Sequence, residues 1–257
     1  MRSLAVVVML LAGLAPVGCK GDPAPVAPAP VATYDGVSLP TTDAELDPLP
    51  YQPIVVKLVG TRTFVAGTEV FDRDDPEAVP DAGGGPAGHD VLVVAEPSTP
   101  YHQFYRAASV MQIAEQRATW IAVARGAQVR AMRVYLYTDA QGVPWGAPSL
   151  QPAVAIHRDR ISVFSVSGEE GTIDKPLVTI DRASGGSFDF QLLGGAAAGI
   201  VARHFLGKPR TEDTRRIAVL ADRDVPLQTV VDAVAAVSVA PPGKLRFPEV
   251  MLTIQVE

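Results

Sequence analysis

The sequence predicts an α+β protein with two tandem small domains, each a mixed sheet with one or two helices packed on one face. The first reason is a repeat, because residues 91–111 align without gaps with residues 217–237 at an offset of 126 positions. The second is that short strand-like segments surround both copies in the same order. The third is composition, since 47% hydrophobic and 19% charged residues are enough to build a core.

The repeated segment has the pattern of a buried strand followed by a helix. Each copy contains five apolar residues, an acid, a helix-capping residue and a proline in the first helical turn, where its missing N–H costs nothing. The last three are Glu96, Ser98 and Pro100 in the first copy and Asp222, Asp224 and Pro226 in the second. Each helix then has one apolar face, made of Tyr101, Phe104, Tyr105, Ala108 and Met111 in one copy and Leu227, Val230, Val231 and Val234 in the other.

The other elements of the two copies also correspond in order. Each copy has an extended segment containing a leucine, a Gln-Pro pair that leads into a strand, a second short strand and a closing strand. In chain order the pairs are 37–39 and 134–136, 54–56 and 153–156, 63–65 and 161–164, and 120–123 and 250–254. We therefore predict one domain over residues 34–126 and a second over residues 131–257.

Residues 1–18 are predicted to be a bacterial lipoprotein signal peptide. Arg2 precedes an apolar run at 4–17 that ends in small residues, which is the order typical of an export signal. At about 1.5 Å per residue, this run is too short for a hydrocarbon core of about 30 Å. The end of the run resembles a lipoprotein processing box, in which cleavage precedes Cys19 and its thiol is acylated. Pro16 departs from that pattern, which usually has Leu there.

A mature chain beginning at Cys19 would be held on a membrane by its acyl chains. Residues 19–33 alternate proline and alanine, so they are predicted to form a semi-rigid tether. Lys20 favours the outer membrane, and the expected location is the periplasmic face of the cell envelope. Two alternatives stay open: an ordinary signal peptide with an incidental cysteine, and an uncleaved membrane helix.

Charge and cysteine content exclude several functions. A net charge of −6 argues against nucleic-acid binding, which requires an excess of Lys and Arg. The single cysteine cannot form an internal disulfide or a cysteine-ligated metal cluster.

The repeat unit resembles the periplasmic domain of the ExbD/TolR family of biopolymer-transport proteins. The first copy carries the family pattern in Val37, Leu39 and Pro40 and then in Ala95, Pro100 and Tyr101. The second copy carries it in Ala221, Asp222 and Pro226, with Leu227 in place of the tyrosine. The resemblance implies a small α+β domain with helices on one face of a sheet, often paired as a dimer.

The departures from this family bear on function. Family members have a transmembrane helix with an aspartate that takes part in proton flow, whereas no acid precedes Asp22 here. We therefore expect no proton-carrying role. Residues 72–90 replace the family's first helix with a predicted loop. The second copy has a predicted short helix at 194–206, preceded by an insertion at 174–193.

No residue pattern predicts catalysis, a cofactor or a metal. The glycine-rich run 83–88 lacks the Lys-Ser/Thr ending of a phosphate loop, so we interpret it as a linker. Asp222 and Asp224 are explained by helix capping, and Glu169-Glu170 by a solvated turn. Metal-ligand spacing is missing among the four histidines, which are His89, His102, His157 and His204.

Two features suggest partner binding. Trp145 lies between the copies, where an exposed indole could stack on a partner, although such a tryptophan more often covers a seam between domains. The segment Val37, Leu39 and Pro40 could add a strand to a partner's sheet, although it could also be an edge strand of its own sheet.

The function expected from these observations is a non-catalytic, lipid-anchored accessory component of a Ton- or Tol-type system. Its expected partners are a TonB- or Tol-type protein, an ExbB/TolQ-like motor or peptidoglycan, with pairing of the two domains inside one chain or in a homodimer. The alternatives are a direct transport subunit that keeps its N-terminal helix and, from another class, a small secreted cell-wall hydrolase.

Overall fold

The computed structural model describes residues 32–72, 90–112, 119–136, 150–206, 215–238 and 247–254. Its three helices are α1 (Tyr101–Gln112), α2 (Phe190–His204) and α3 (Leu227–Ser238). The strands before α2 are β1 (Thr33–Tyr34), β2 (Val37–Ser38), β3 (Ile54–Val59), β4 (Arg62–Val65), β5 (Thr68–Asp72), β6 (Val91–Val94), β7 (Thr119–Arg125), β8 (Gln128–Leu136), β9 (Pro152–Ile156), β10 (Arg160–Ser165) and β11 (Val178–Asp181). After α2 come β12 (Arg216–Ala221) and β13 (Glu249–Ile254). Among the described residues, no helix is long and apolar enough to cross a membrane.

One mixed sheet of 11 strands runs through the molecule in the order β11-β10-β9-β12-β13-β8-β7-β6-β3-β4-β5. The five strands at either end have the same internal order. In the first half β3, β6 and β7 are parallel and β4 and β5 are added as antiparallel hairpins. In the second half β9, β12 and β13 are parallel, and β10 and β11 are added in the same way.

Strand β8 joins the two halves. It is antiparallel to β7 and parallel to β13, so β7 and β13 run in opposite directions. The boundary predicted between residues 126 and 131 falls at this strand, which pairs with both halves. The α+β class is confirmed, whereas the division into two domains stays a prediction because both halves share one sheet.

The three helices contribute to one core on one face of this sheet. Successive side chains of a strand point to opposite faces of the sheet, so every second one, such as Val93 and Val219, points at the helices. The predicted faces of α1 and α3 provide the helical side, where Tyr101, Phe104 and Val231 are fully buried. This core contains residues of both halves.

The opposite face is packed differently in the two halves. In the first half the N-terminal segment covers it, because Ala32, Val37 and Leu39 pack against Leu92 and Ala122. In the second half a small cluster lies on this face, made of Ala153, Ala155, Phe164 and Ala218, with Leu220 packed against it.

The predicted helices and strands are present with altered limits. Helix α2 begins at Phe190, four residues before the predicted Gly194, and Asp189 caps it by accepting a hydrogen bond from the N–H of Leu192 at 2.9 Å. The predicted insertion therefore contains structure, since it holds β11 and the start of α2. The residues of the predicted loop at 72–90 lie almost entirely outside the described part of the chain.

Candidate functional site

The two repeated strand–helix turns contact each other at Pro100 and Pro226, which face each other as an isolated antiparallel bridge. Four backbone hydrogen bonds surround this bridge, and they form two equivalent pairs. Each bond of one pair corresponds to a bond of the other when the donor and acceptor positions are shifted by the repeat offset of 126 residues. The N–H of Tyr101 donates to the carbonyl of Val225 (2.8 Å), that of His102 to Arg223 (3.0 Å), that of Leu227 to Thr99 (2.8 Å) and that of Gln228 to Pro97 (2.9 Å).

This pairing satisfies the first-turn amides of both helices. A helix leaves its first four N–H groups without partners inside the helix, and here carbonyls of the other turn accept two from each. The N-termini of α1 and α3 are therefore closed by protein and are not open anion sites. The arrangement has an approximate two-fold symmetry, with its axis between the two prolines.

Tyr101 ties the first turn to the other half of the sheet. Its ring is fully buried, and its hydroxyl donates to the carbonyl of Thr253 in β13 at 3.0 Å. Burial raises the pKa of this phenol well above its usual value, and the neighbouring Tyr105 adds to the shift. Leu227, which aligns with Tyr101, is also fully buried.

A cavity of about 430 Å³ lies beside the second turn, and we call it the Arg182 pocket. It opens at the carboxyl ends of the parallel strands β9 and β12, the position where sheets of this kind commonly bind ligands. Its lining consists of His157, Arg158, Arg182, Phe188, Asp222, Arg223, Asp224, Val225, Pro226 and Thr229.

Arg182 is exposed at this pocket and makes three contacts with neighbouring groups. Its Nε donates to the carbonyl of Gly186 at 2.8 Å, and its Nη1 donates to the carbonyl of Arg158 at 3.2 Å. Its guanidinium lies over the ring of Phe188, with 5.3 Å between the guanidinium carbon and the ring centroid. On the opposite wall, Nδ1 of His157 lies 3.3 Å from Oδ1 of Asp222.

A second, more open cavity of about 420 Å³ lies where the N-terminal segment meets α3. The side-chain amide of Gln228 forms two hydrogen bonds with the backbone of Thr41, in the way that the backbone of a neighbouring strand would. Its Oε1 accepts from the N–H of Thr41 and its Nε2 donates to the carbonyl, both at 2.8 Å. The Nε2 of Gln228 also donates to Asp232 at 2.9 Å. Burial raises the pKa of Asp232 from 3.8 to about 6, and the bond from Gln228 opposes that shift.

Glu170 is buried at the centre of a charged cluster at the end of α2. Arg203 donates to both of its carboxylate oxygens, at 2.8 and 2.5 Å, and Nε2 of His204 lies 2.5 Å from Oε1. The hydrogen bond from Arg203 lowers the pKa of Glu170, and His204 adds to this effect against the opposing effect of burial. Glu169 lies on the other side of His204, 3.8 Å from Nδ1. The predicted solvated turn is thus wrong for Glu170.

The predicted binding residues are placed as follows. Val37 and Leu39 are buried, and the carbonyl of Pro40 accepts from the N–H of Ala124 at 2.7 Å. The segment therefore packs on its own sheet and does not present these side chains to a partner. Cys19 and Trp145 lie outside the described residues.

The family-motif residues fall at the paired turns. Ala95 and Ala221 are fully buried just after β6 and at the end of β12, and Pro100, Tyr101 and Pro226 form the turn contact itself. Asp222 follows β12 and lines the Arg182 pocket.

Within the described ranges, no group of three or more His, Cys, Asp or Glu side chains is placed to hold a metal ion. His89 and the glycine-rich run 83–88 lie outside those ranges.

A comparison of this chain with protein-family models, curated proteins and solved structures found no match.

Sequence reasoning missed Arg182 and Phe188 as pocket residues. Both come from residues 174–193, which the sequence predicts to be an insertion, although the sheet register matches Asp181 in β11 with Asp72 in β5, so that Arg182 aligns with Arg73. It also missed Asp232, which lies on a helix face with no acid in the aligned copy. An aspartate one turn after Gln228 was the available signal for that pair.

Proposed function

We propose that this protein is a non-catalytic, lipid-anchored periplasmic component of a Ton- or Tol-type envelope system. It would carry two ExbD/TolR-like units and lack the proton-carrying membrane helix. The observation that supports this most directly is the reciprocal contact of the two motif turns at Pro100 and Pro226.

The symmetry of that contact is the symmetry expected at the axis of a dimer. A family whose domains often pair as dimers would use two copies of one turn at a dimer axis. Here the two turns belong to one chain, and their four hydrogen bonds obey the offset of the sequence repeat. We infer that the two halves of one chain take the place of the two subunits of a dimer. The surface outside this contact is then free to bind a partner.

The chemistry of the Arg182 pocket favours binding over catalysis. Its polar lining consists of three arginines, two aspartates, His157 and Thr229. Guanidinium groups stay protonated and serve as binding groups, since they are poor proton-transfer catalysts near neutral pH.

The anchor is tested by mass spectrometry of the mature protein purified from bacterial membranes. The expected result is an acylated Cys19 at the N-terminus, and Cys19→Ser should release the protein from the membrane fraction. A retained Met1 would overturn the lipid anchor and favour the direct transport subunit instead.

The binding role is tested by crosslinking in cells from exposed positions near the pocket, with Tyr51, which is exposed and outside the pocket lining, as the control site. We expect capture of a TonB- or Tol-type protein, a motor subunit or peptidoglycan fragments at the pocket alone. Equal capture at both sites, or capture of none of these at the pocket, would contradict the proposal.

A second candidate function is cell-wall hydrolysis, which the contact between His157 and Asp222 in a cavity favours. The purified protein would then release soluble fragments from peptidoglycan, and His157→Asn would abolish the release. Fragment release at the background rate excludes this alternative.

A further inference from the structure

The lining of the Arg182 pocket differs from the matching positions of the first half. In the sheet, Val56 pairs with Val93 and Val154 pairs with Val219. This register aligns Gly60 with Arg158, and the repeat aligns Gln103 with Thr229.

In the first half Gln103 occupies the position of Thr229. Gln103 is buried, and its Nε2 donates to the carbonyl of Gly60 at 2.7 Å. In the second half Nη1 of Arg182 donates to the corresponding carbonyl of Arg158, and the shorter Thr229 lines a cavity. The fold itself can therefore close this position, and the second half leaves it open.

The walls of the open cavity carry unpaired positive charge. Among the described residues, no carboxylate forms an ion pair with Arg158, Arg182 or Arg223. Asp222 is directed to His157, which leaves Asp224 as the one lining carboxylate without such a contact. The first half has Gly60 and Pro97 where the second has Arg158 and Arg223, so these charges are specific to the open copy.

Arg182 is already ordered without an anionic partner. Two carbonyls and the ring of Phe188 hold its guanidinium, so a ligand that pairs with it gains charge neutralisation at little further cost in side-chain entropy. A planar guanidinium matches a carboxylate through parallel N–H···O bonds. Phe188, Val225 and Pro226 provide apolar surface beside it.

We propose that the Arg182 pocket binds the C-terminal carboxylate of a peptide, with the last side chain against Phe188, Val225 and Pro226. Arg182 and Arg223 pair with the carboxylate, and Thr229 provides the space. The cavity volume of about 430 Å³ falls in the range of small-ligand sites. The proposal deepens the binding role given above and does not depend on the lipid anchor.

The test is calorimetric titration of the full-length protein with an N-acetylated tri-alanine peptide, as the free acid and as the C-terminal amide. The free acid should bind with a Kd of about 0.1–1 mM, and the amide should not bind measurably. Peptides ending in D-Ala-D-Ala and in L-Ala-L-Ala separate a cell-wall source from a protein C-terminus. Equal binding of acid and amide, or no binding of any acid, overturns the proposal.

Two pairs of variants and one single variant locate the site. Thr229→Gln should abolish binding by filling the cavity as Gln103 does, whereas Thr229→Ser should keep it. Arg223→Ala should weaken binding about 10-fold. Arg160→Ala removes an exposed arginine outside the pocket lining, so it should not weaken binding. Asp224→Asn should strengthen binding about 3-fold by removing a like charge.

These results separate this proposal from the proposed function. If Thr229→Gln or Arg223→Ala binds the free acid as well as the unmodified protein, the pocket is not the site. Acylation of Cys19 and capture of envelope partners are read without any peptide, so they can succeed while the titration fails.

Discussion

At the residue scale, the two halves share an uncommon backbone conformation. Gln52 and Gln151 have φ values of 46° and 44°, in the left-handed region that non-glycine residues rarely adopt. Each is followed by proline and leads into the corresponding strand, β3 or β9. The sequence alignment paired these two Gln-Pro steps without any knowledge of their conformation. The strand register matches Ile54 with Pro152, so the two steps lie one residue out of register, and their shared conformation supports the repeat at the entry to the strand.

A glycine beside the Glu170 cluster gives a sharp test of backbone constraint. Gly171 has a φ of +82°, and a Cβ there would lie 2.5 Å from the N of Leu177 and 2.7 Å from the carbonyl oxygen of Lys175. Gly168 has nearly the same φ, +81°, but its Cβ would meet only Thr172 at 3.6 Å. We expect Gly171→Ala to lower the free energy of unfolding by about 1–3 kcal/mol more than Gly168→Ala. Equal losses in urea denaturation would show that φ alone sets the cost.

Asp232 predicts how stability depends on pH. Its pKa is about 6 in the folded protein and 3.8 as an ordinary aspartate, so between these values the folded state binds more protons than the unfolded state. Stability attributable to this group therefore falls as pH rises from about 4 to about 6, and stays lower above that. Asp232→Asn keeps an acceptor for Gln228 and should raise the Tm at pH 7.5 by about 2–5 °C, with little effect at pH 4.

The control for Asp232 is Asp43→Asn, which removes an exposed carboxylate from the same cavity. It should leave the Tm unchanged at both pH values. A Tm of Asp232→Asn that shifts equally at pH 4 and pH 7.5 would show that the effect is not ionisation.

At the element scale, the paired turns depend on one buried hydroxyl. The bond from Tyr101 to the carbonyl of Thr253 connects α1 of the first half to β13 of the second. Tyr101→Phe should lower the free energy of unfolding by about 1–2 kcal/mol, because the buried carbonyl loses its donor. Tyr51→Phe is the matched control, since Tyr51 is 86% exposed. If both variants unfold at the same denaturant concentration, the hydroxyl does not stabilise the pairing.

The elements could be predicted from the sequence where periodicity is local. The continuous apolar runs of β6 and β12 and the helical faces of α1 and α3 are signals within about 20 residues. Strand β11 was missed because it follows the polar stretch Asp174–Lys175, and α2 was placed late because Asp189 was not recognised as its cap. The contact of Pro100 with Pro226 joins residues 126 positions apart, and no local pattern reports such a contact. The pocket could not be predicted for the same reason, because Arg182 and Asp222 line one cavity only in the folded sheet.

At the scale of the whole molecule, the shared sheet predicts cooperative unfolding. Strand β8 pairs with β7 on one side and β13 on the other, and one core contains residues of both halves. Neither half can unfold without exposing the other's buried surface, so calorimetry should show one transition with equal calorimetric and van't Hoff enthalpies. Phe104→Ala in the first half and Val231→Ala in the second should each lower the Tm of that same transition, because each leaves a cavity in the common core. Two separate transitions, with each variant shifting only one of them, would instead show that the halves are independent domains that merely touch.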